Sequence, residues 1–187
     1  MKSITRLCLL TLFSILLQSC AAPGHTPTEK RRSVNDMAQS VLQQLYKIKP
    51  YVKNQIKESA GYAVFSNANI NVIFVSASGG YGVVIDNETA KRTYMKMASA
   101  GIGIGMGVKD FRAVFIFHDR KTLNKFINKG WEFGGQADAA AKAGEKGGSL
   151  QGEVVINNIT IYQLTESGLA LQATINGTKY WKDDSLN

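Results

Sequence analysis

Apolar residues recur at helical spacing in the amino-terminal third of the chain, at steps of three or four. They are Met37, Val41, Leu45, Ile48, Val52 and Ile56. This spacing is one stripe of an amphipathic helix. Pro50 interrupts the stripe, because it removes a backbone donor and disfavours helical geometry at Lys49. The pattern therefore predicts two helices, at about 34–48 and 50–58, with the second starting at proline.

After Gly61 the pattern changes to short apolar or alternating runs, which are typical of strands. Turn signals separate these runs at 67–69, 79–80, 87–88 and 109–110. A last helical pattern covers 120–130, where Gly130 is placed to end the helix. The sequence predicts an α+β domain. Its mostly antiparallel, strongly curved sheet has about eight strands, N-terminal helices and one inserted helix.

The stretch "ASAGIGIGMGVKDF", residues 98–111, has glycine at every second position from 101 to 107. A dinucleotide fingerprint needs a third glycine where this chain has Met106, and a P-loop needs Gly-Lys-Ser/Thr. Neither motif fits. A period of two is the strand period, so the run predicts a strand with one bare face. This removes the best candidate for a nucleotide-binding enzyme.

The first residues resemble a bacterial lipoprotein signal. A basic start precedes the apolar run "LCLLTLFSILL" at 7–17, which is shorter than the roughly 20 residues of a membrane-spanning helix. "LQSC" follows, and it makes Cys20 the expected lipidation site of a signal peptide covering 1–20. An ordinary secretory signal is the alternative. Because Ala21 follows the cysteine, the resemblance implies a lipid-anchored protein of the bacterial envelope, in the outer membrane and facing the periplasm.

Between the signal and the first helix, residues 21–33 contain two of the three prolines and a basic cluster. The cluster is Lys30, Arg31 and Arg32. The segment predicts a flexible tether, and 34–187 is then a single domain. Without the signal the chain has 20 basic and 14 acidic side chains, a formal charge of +6. This charge favours anionic lipid headgroups as partners, and nucleic acid is not expected beyond an inner membrane.

A line of lysines runs along the predicted amino-terminal helices. Lys49, Lys53 and Lys57 share this line, beside the apolar stripe. A basic amphipathic helix can bind membranes. More often such a helix packs its apolar stripe on a sheet and leaves its lysines in water. A second lysine line follows 121–129, and the sequence does not say whether the two lines share one side of the fold.

Candidate catalytic chemistry is sparse. The two histidines are His25, in the predicted tether, and His118, at a strand end. His118 could act as a base oriented by Asp119, but neighbouring residues of a strand point to opposite faces. No spacing of histidine, cysteine or carboxylate residues resembles a metal site. We therefore predict a non-catalytic protein with no cofactor, no metal and no catalytic residue.

Five segments occur together in an order that resembles a known family. They are "GYAVFSN", "GGYGVVID", "FRAVFIFHD", "FINKGWEFGGQADAA" and "IYQLTESGLALQATINGTKY". This order resembles SYLF domains, also called the Ysc84 actin-binding or lipid-binding family, over about residues 34–182. The chain looks most like the bacterial lipoprotein branch of that family.

The resemblance implies a lipid-binding module whose basic amino-terminal segment contacts the membrane. In this chain the matching segment is 34–58, and the implied lipid-binding lysines are Lys47, Lys49, Lys53 and Lys57. The basic cluster of the predicted tether is a further candidate. The chain has no second domain such as an SH3, so actin binding is not carried over, and generic anionic lipid is the expected ligand.

Three function classes remain, of which an undetected enzyme is the last. The leading one is an envelope lipoprotein whose domain binds anionic phospholipid or a membrane surface. The alternative is a structural or protein-interaction component of the envelope, which recognises no lipid beyond its own acyl anchor. Binding to anionic vesicles without the anchor separates the two, because only the first class predicts it.

Overall fold

The computed structural model describes residues 22–72, 75–102, 112–133, 153–165, 168–169 and 178–187. Within these residues the chain forms three helices and nine strands. The helices are α1 (Pro27–Ile48), α2 (Val52–Glu58) and α3 (Arg120–Lys129). The strands are β1 (Gly61–Val72), β2 (Val75–Asp86), β3 (Arg92–Ile102), β4 (Arg112–Phe117), β5 (Trp131–Phe133), β6 (Glu153–Ile156), β7 (Ile159–Thr165), β8 (Gly168–Leu169) and β9 (Thr178–Lys182).

The strands form one strongly curled sheet in the order β5-β9-β3-β2-β1-β4-β7-β6, with β8 paired to β7. Every described pairing is antiparallel. β1 and β2 are each 12 residues long and pair along their whole length, from Gly61 opposite Asp86 to Val72 opposite Val75. The predicted α+β class, with a curved antiparallel sheet, is confirmed.

Helices cover both faces of the sheet. Successive residues of a strand point to opposite faces. Val64 of β1 therefore packs with α1 and α2, and its neighbour Phe65 packs with α3. The two predicted lysine lines lie on α2 and α3, so the sheet separates them.

The face under α3, here called the aromatic face, is filled by rings. Its aromatic members are Phe65, Phe115, Phe117, Phe126, Trp131 and Tyr180. Phe126 of α3 lies within 5.0–6.1 Å, centroid to centroid, of the other five rings. Burial raises the pKa of the Tyr180 hydroxyl. This face is a packed core that fixes α3 on the sheet.

The first helix begins earlier than predicted. Thr26 caps α1, accepting a hydrogen bond from the Glu29 amide at 3.2 Å, while the Glu29 carboxylate accepts one from the Thr26 amide at 3.0 Å. Pro27 occupies the first turn, where its missing donor has no cost. Residues 27–33 of the predicted tether are therefore helical. The sequence "TPTE" is a capping-box signature that the apolar stripe alone does not reveal.

Two predicted turns are strand interiors. Asn67 lies within β1, and Gly79 and Gly80 lie within β2. Gly80 makes room for the neighbouring strand rather than for a turn, because a Cβ there would lie 2.3 Å from the Ser66 carbonyl oxygen of β1. The turn at Asn87, the start of α3 at Arg120 and its end at Gly130, with φ +70°, are confirmed. Of the glycine run, Gly101 and Ile102 continue β3, and 103–111 lie outside the described residues.

Candidate functional site

The corner between α1 and α2 is the candidate site. α1 ends at Ile48 and is capped by Lys49, whose amide donates a 2.7 Å hydrogen bond to the Leu45 carbonyl. Pro50 follows and cannot donate to a helical carbonyl, so the chain turns before α2 begins at Val52. The turn leaves Ile48 42% exposed and Tyr51 52% exposed, beside exposed lysines. We call this surface the basic corner, and it consists of Lys47, Ile48, Pro50, Tyr51, Lys53 and Lys57.

Lys49 does not belong to the basic corner. Its side chain is buried, 7% exposed, and its Nζ lies 5.6 Å from the ring centroids of both Tyr51 and Tyr162. Such an arrangement is a cation–π contact. Lys49 follows Leu45 by one helical turn and continues the buried stripe, whereas the predicted stripe residue Ile48 faces outward. The prediction that Lys49 faces a membrane is therefore wrong.

A hydrogen-bonded chain joins α2 to the sheet beneath the corner. The Tyr162 hydroxyl donates to Gln55 Oε1 at 2.8 Å, and Gln55 Nε2 donates to Thr160 Oγ1 at 3.4 Å. His118 Nε2 lies 2.7 Å from the same Thr160 oxygen. These bonds hold α2 in one orientation, so Lys53 and Lys57 of the corner are carried on a fixed helix.

The predicted basic cluster lies at the other end of α1. Lys30 and Arg31 are half-buried, and Arg32 is exposed. Arg31 Nε donates a 2.8 Å hydrogen bond to the carbonyl of Leu186, whose side chain is buried against the core. At 1.5 Å per helical residue, Arg31 lies about 24 Å from Lys47. The structure therefore does not bring the cluster and the corner together.

The lysines of α3 form a separate surface. Lys121, Lys125 and Lys129 are exposed. α3 packs its other side on the aromatic face through Leu123 and Phe126, which are fully buried. Its lysines therefore face solvent on the side of the sheet opposite to the corner.

The side chains of His118 and Asp119 contact different partners. The Asp119 carboxylate caps α3, accepting hydrogen bonds from the Thr122 amide at 2.7 Å and from Asn158 Nδ2 at 2.9 Å. These bonds, the Thr122 amide first, lower the pKa of Asp119 to about 2. His118 instead contacts Thr160. Within the described residues, no three histidine, cysteine or carboxylate side chains are grouped so that they could hold a metal ion.

None of the described helices has the length and apolar composition needed to cross a membrane. Cys20, the predicted lipidation site, lies outside the described residues, as does the whole of the predicted signal peptide. Ala22 is the first described residue. It is buried, with only 6% of its surface exposed, and it packs with the core beneath α1.

Comparison with known proteins links the carboxyl-terminal half to a family. Residues 98–187 match the model of the Ysc84 family, whose description is "Las17-binding protein actin regulator". These residues are therefore similar to that family. The chain is also similar to Beta cell expansion factor A of Aeromonas veronii, with 34% identity over 161 residues. That alignment covers 86% of this chain and 60% of the relative, so the chain spans only part of the relative's length.

Sequence reasoning found the three exposed lysines but missed their apolar neighbours. Ile48 was assigned to the buried stripe, and Tyr51 was not singled out. A signal for both was present, because an aromatic residue directly after Pro50, among lysines, has the composition of a membrane-interface segment.

Proposed function

We propose that this protein is a non-catalytic, lipid-binding member of the Ysc84/SYLF family that contacts anionic membrane surfaces through the basic corner. The observation that carries the proposal is the exposure of Ile48 and Tyr51 among Lys47, Lys53 and Lys57. Lysines draw a surface to anionic headgroups, and aromatic or aliphatic side chains enter the boundary between headgroups and acyl chains. Both parts are present at one corner.

The expected strength is modest. Each lysine near an anionic leaflet contributes about 1 kcal/mol, so the three exposed lysines contribute about 3 kcal/mol. Ile48 and Tyr51 add apolar contact, at roughly 25 cal/mol for each Å² that they bury. Such binding is reversible and weakens with salt, because the charged part is screened.

An acyl anchor would make this weak contact effective. We propose acylation at Cys20 and a location in the outer membrane, facing the periplasm. Ala22 is buried, and two extended residues span at most about 7 Å, so the anchor would hold the start of α1 close to the membrane. The same leaflet could then contact both ends of α1, at the exposed Arg32 and at the basic corner. Because the anchor tethers the protein to the membrane, the effective concentration of both contacts at the lipid surface is raised.

Vesicle co-flotation with matched charge reversals tests the proposal. The chain from residue 21 contains every described residue and lacks Cys20. It should float with anionic vesicles, fail to float with neutral ones, and lose binding at high salt. Lys47→Glu/Lys53→Glu/Lys57→Glu should weaken binding at least about 100-fold, from the charge contribution above.

The control variant carries the same charge change on the opposite side of the sheet. Lys121→Glu/Lys125→Glu/Lys129→Glu should bind within about threefold of the unmodified chain, because long-range charge effects are screened at physiological salt. If both variants lost vesicle binding equally, net charge alone would account for the binding, and the basic corner would not be the contact. No flotation of the unmodified chain would favour the protein-interaction alternative, in which only the anchor meets the membrane.

A further inference from the structure

A groove of about 410 Å³ runs along the flank of α1, between that helix and β1, β2 and β3. Its volume lies within the range of small-molecule sites. Its floor is apolar, formed by Ala38 and Leu42 of the helix and by Val83 and Ile85 of β2. The basic corner does not line it, and the lipid proposal makes no use of it.

Polar side chains line the helical wall at a regular spacing. Asn35, Gln39 and Gln43 follow one another by four residues, so their amides lie on one line of α1. Asn35 Nδ2 donates to the Tyr94 hydroxyl at 3.1 Å, which fixes the orientation of that amide. The wall therefore offers both donors and acceptors along the length of the groove.

Two tyrosines add further hydrogen-bond donors and acceptors to the groove. Tyr46 of α1 and Tyr62 of β1 line the groove, and burial raises the pKa of both hydroxyls, so they stay protonated and can donate as well as accept. Their rings add aromatic surface to the apolar floor.

The charges of the lining are balanced. Among the described lining residues there is one acid, Asp36, and one base, Arg92. An anion would be attracted by the Arg92 guanidinium and repelled by the Asp36 carboxylate, and a cation the reverse, so the lining favours neither ion. A neutral ligand whose groups both donate and accept meets neither penalty.

We propose that this groove binds a neutral saccharide carrying N-acetyl groups. Sugar hydroxyls donate and accept at once, as the amide and tyrosine lining does. The carbon-bearing face of a sugar ring fits an aromatic or aliphatic surface. The amide of an acetamido group can exchange hydrogen bonds with the glutamine side chains of the wall. Its methyl group can pack on Leu42 and Ile85 of the floor.

NMR titration of the chain from residue 21, without vesicles, tests this inference independently of lipid binding. N,N′-diacetylchitobiose should shift the side-chain amides of Gln39 and Gln43 and saturate with a dissociation constant of about 1 mM or tighter. Cellobiose, which lacks the acetamido groups, should bind at least about fivefold more weakly, the loss expected for one hydrogen bond. Phosphocholine, which offers no hydrogen-bond donor to the amide oxygens of the wall, should not saturate these shifts.

Two adjacent glutamines provide matched variants. Gln43 lines the groove, whereas Gln44 accepts a 3.1 Å hydrogen bond from Arg112 and does not line it. Gln43→Leu should weaken chitobiose binding about fivefold, and Gln44→Leu should leave it within about twofold. The inference is overturned if chitobiose produces no saturable shifts, if both variants weaken it equally, or if phosphocholine binds the groove better.

Discussion

The two faces of the sheet are built differently. The aromatic face is packed, with the Phe65 and Tyr180 ring centroids 4.7 Å apart and Phe126 in contact with every other ring. The opposite face is covered by α1 and α2, and it combines an apolar stripe with buried hydrogen bonds, an amide-lined groove and an exposed apolar corner. Each face carries a helix with a lysine line. The corner exposes two large apolar side chains, Ile48 and Tyr51, among its lysines, whereas beside the end of α3 the described residues expose one, Trp181 of β9, next to Lys182.

This contrast separates stability from recognition. Close-packed rings tolerate little change, so the aromatic face is the part of the molecule that fixes the curved sheet. Polar and exposed groups contribute little to stability when they face water, and they are available to a ligand. We therefore expect substitutions on the aromatic face to unfold the protein and substitutions at the corner to alter binding alone.

The largest expected effect is on the aromatic face. Phe126 is fully buried, so Phe126→Ala removes five ring contacts and leaves a cavity. It should lower the free energy of unfolding by about 3–5 kcal/mol. The neighbouring Lys125→Ala should change it by less than about 0.5 kcal/mol, because Lys125 is exposed. Urea denaturation measures both, and a Phe126→Ala loss below about 1 kcal/mol would contradict this account of the face.

A smaller effect distinguishes two lysines of the opposite face. Lys53 is exposed at the corner, whereas Lys49 is buried between Tyr51 and Tyr162. Lys53→Met should weaken binding to anionic vesicles about fivefold, since one surface charge is lost. Lys49→Met should leave binding within about twofold. The reverse order, measured by co-flotation, would restore Lys49 as a membrane contact and break the assignment of the corner.

The smallest expected effect is a pH dependence at the cap of α3. The pKa of Asp119 is lowered from 3.8 to about 2, so its charged form stabilises the fold above 3.8, and this stabilisation is lost as pH falls toward 2. Asp119→Asn keeps a capping oxygen without the charge. The difference in melting temperature between the two proteins should therefore shrink from about pH 5 to pH 2. A constant difference would show that the Asp119 charge does not contribute.

Much of the fold could be predicted from residue spacing. The apolar period, Pro50 and Gly130 correctly predicted two helix boundaries and the inserted helix, because these signals act locally. The α+β class was predicted from helical patterns that precede and interrupt a series of short strand-like runs. The position of the α1 start was missed because the apolar stripe begins after it, although the capping box at Thr26 marks it.

The errors occurred where a distant residue decides the structure. Gly79 and Gly80 of β2 were assigned to a turn, since nothing near them in the chain shows that the Ser66 carbonyl of β1 lies against Gly80. Lys49 was assigned to the surface because its neighbours in the chain do not show the contact that buries it. That contact is with Tyr162, more than a hundred residues away. The groove could not be predicted at all, because it depends on how α1 crosses the sheet.

The most direct test of the central claim is to locate the lipid contact with an environment-sensitive label. The chain from residue 21 contains no cysteine, so Ile48→Cys and Lys125→Cys each provide a single site for an NBD fluorophore. With anionic vesicles, emission from position 48 should rise and shift to the blue, and emission from position 125 should not change. Equal responses, or a response at position 125 alone, would contradict the assignment of membrane contact to the basic corner.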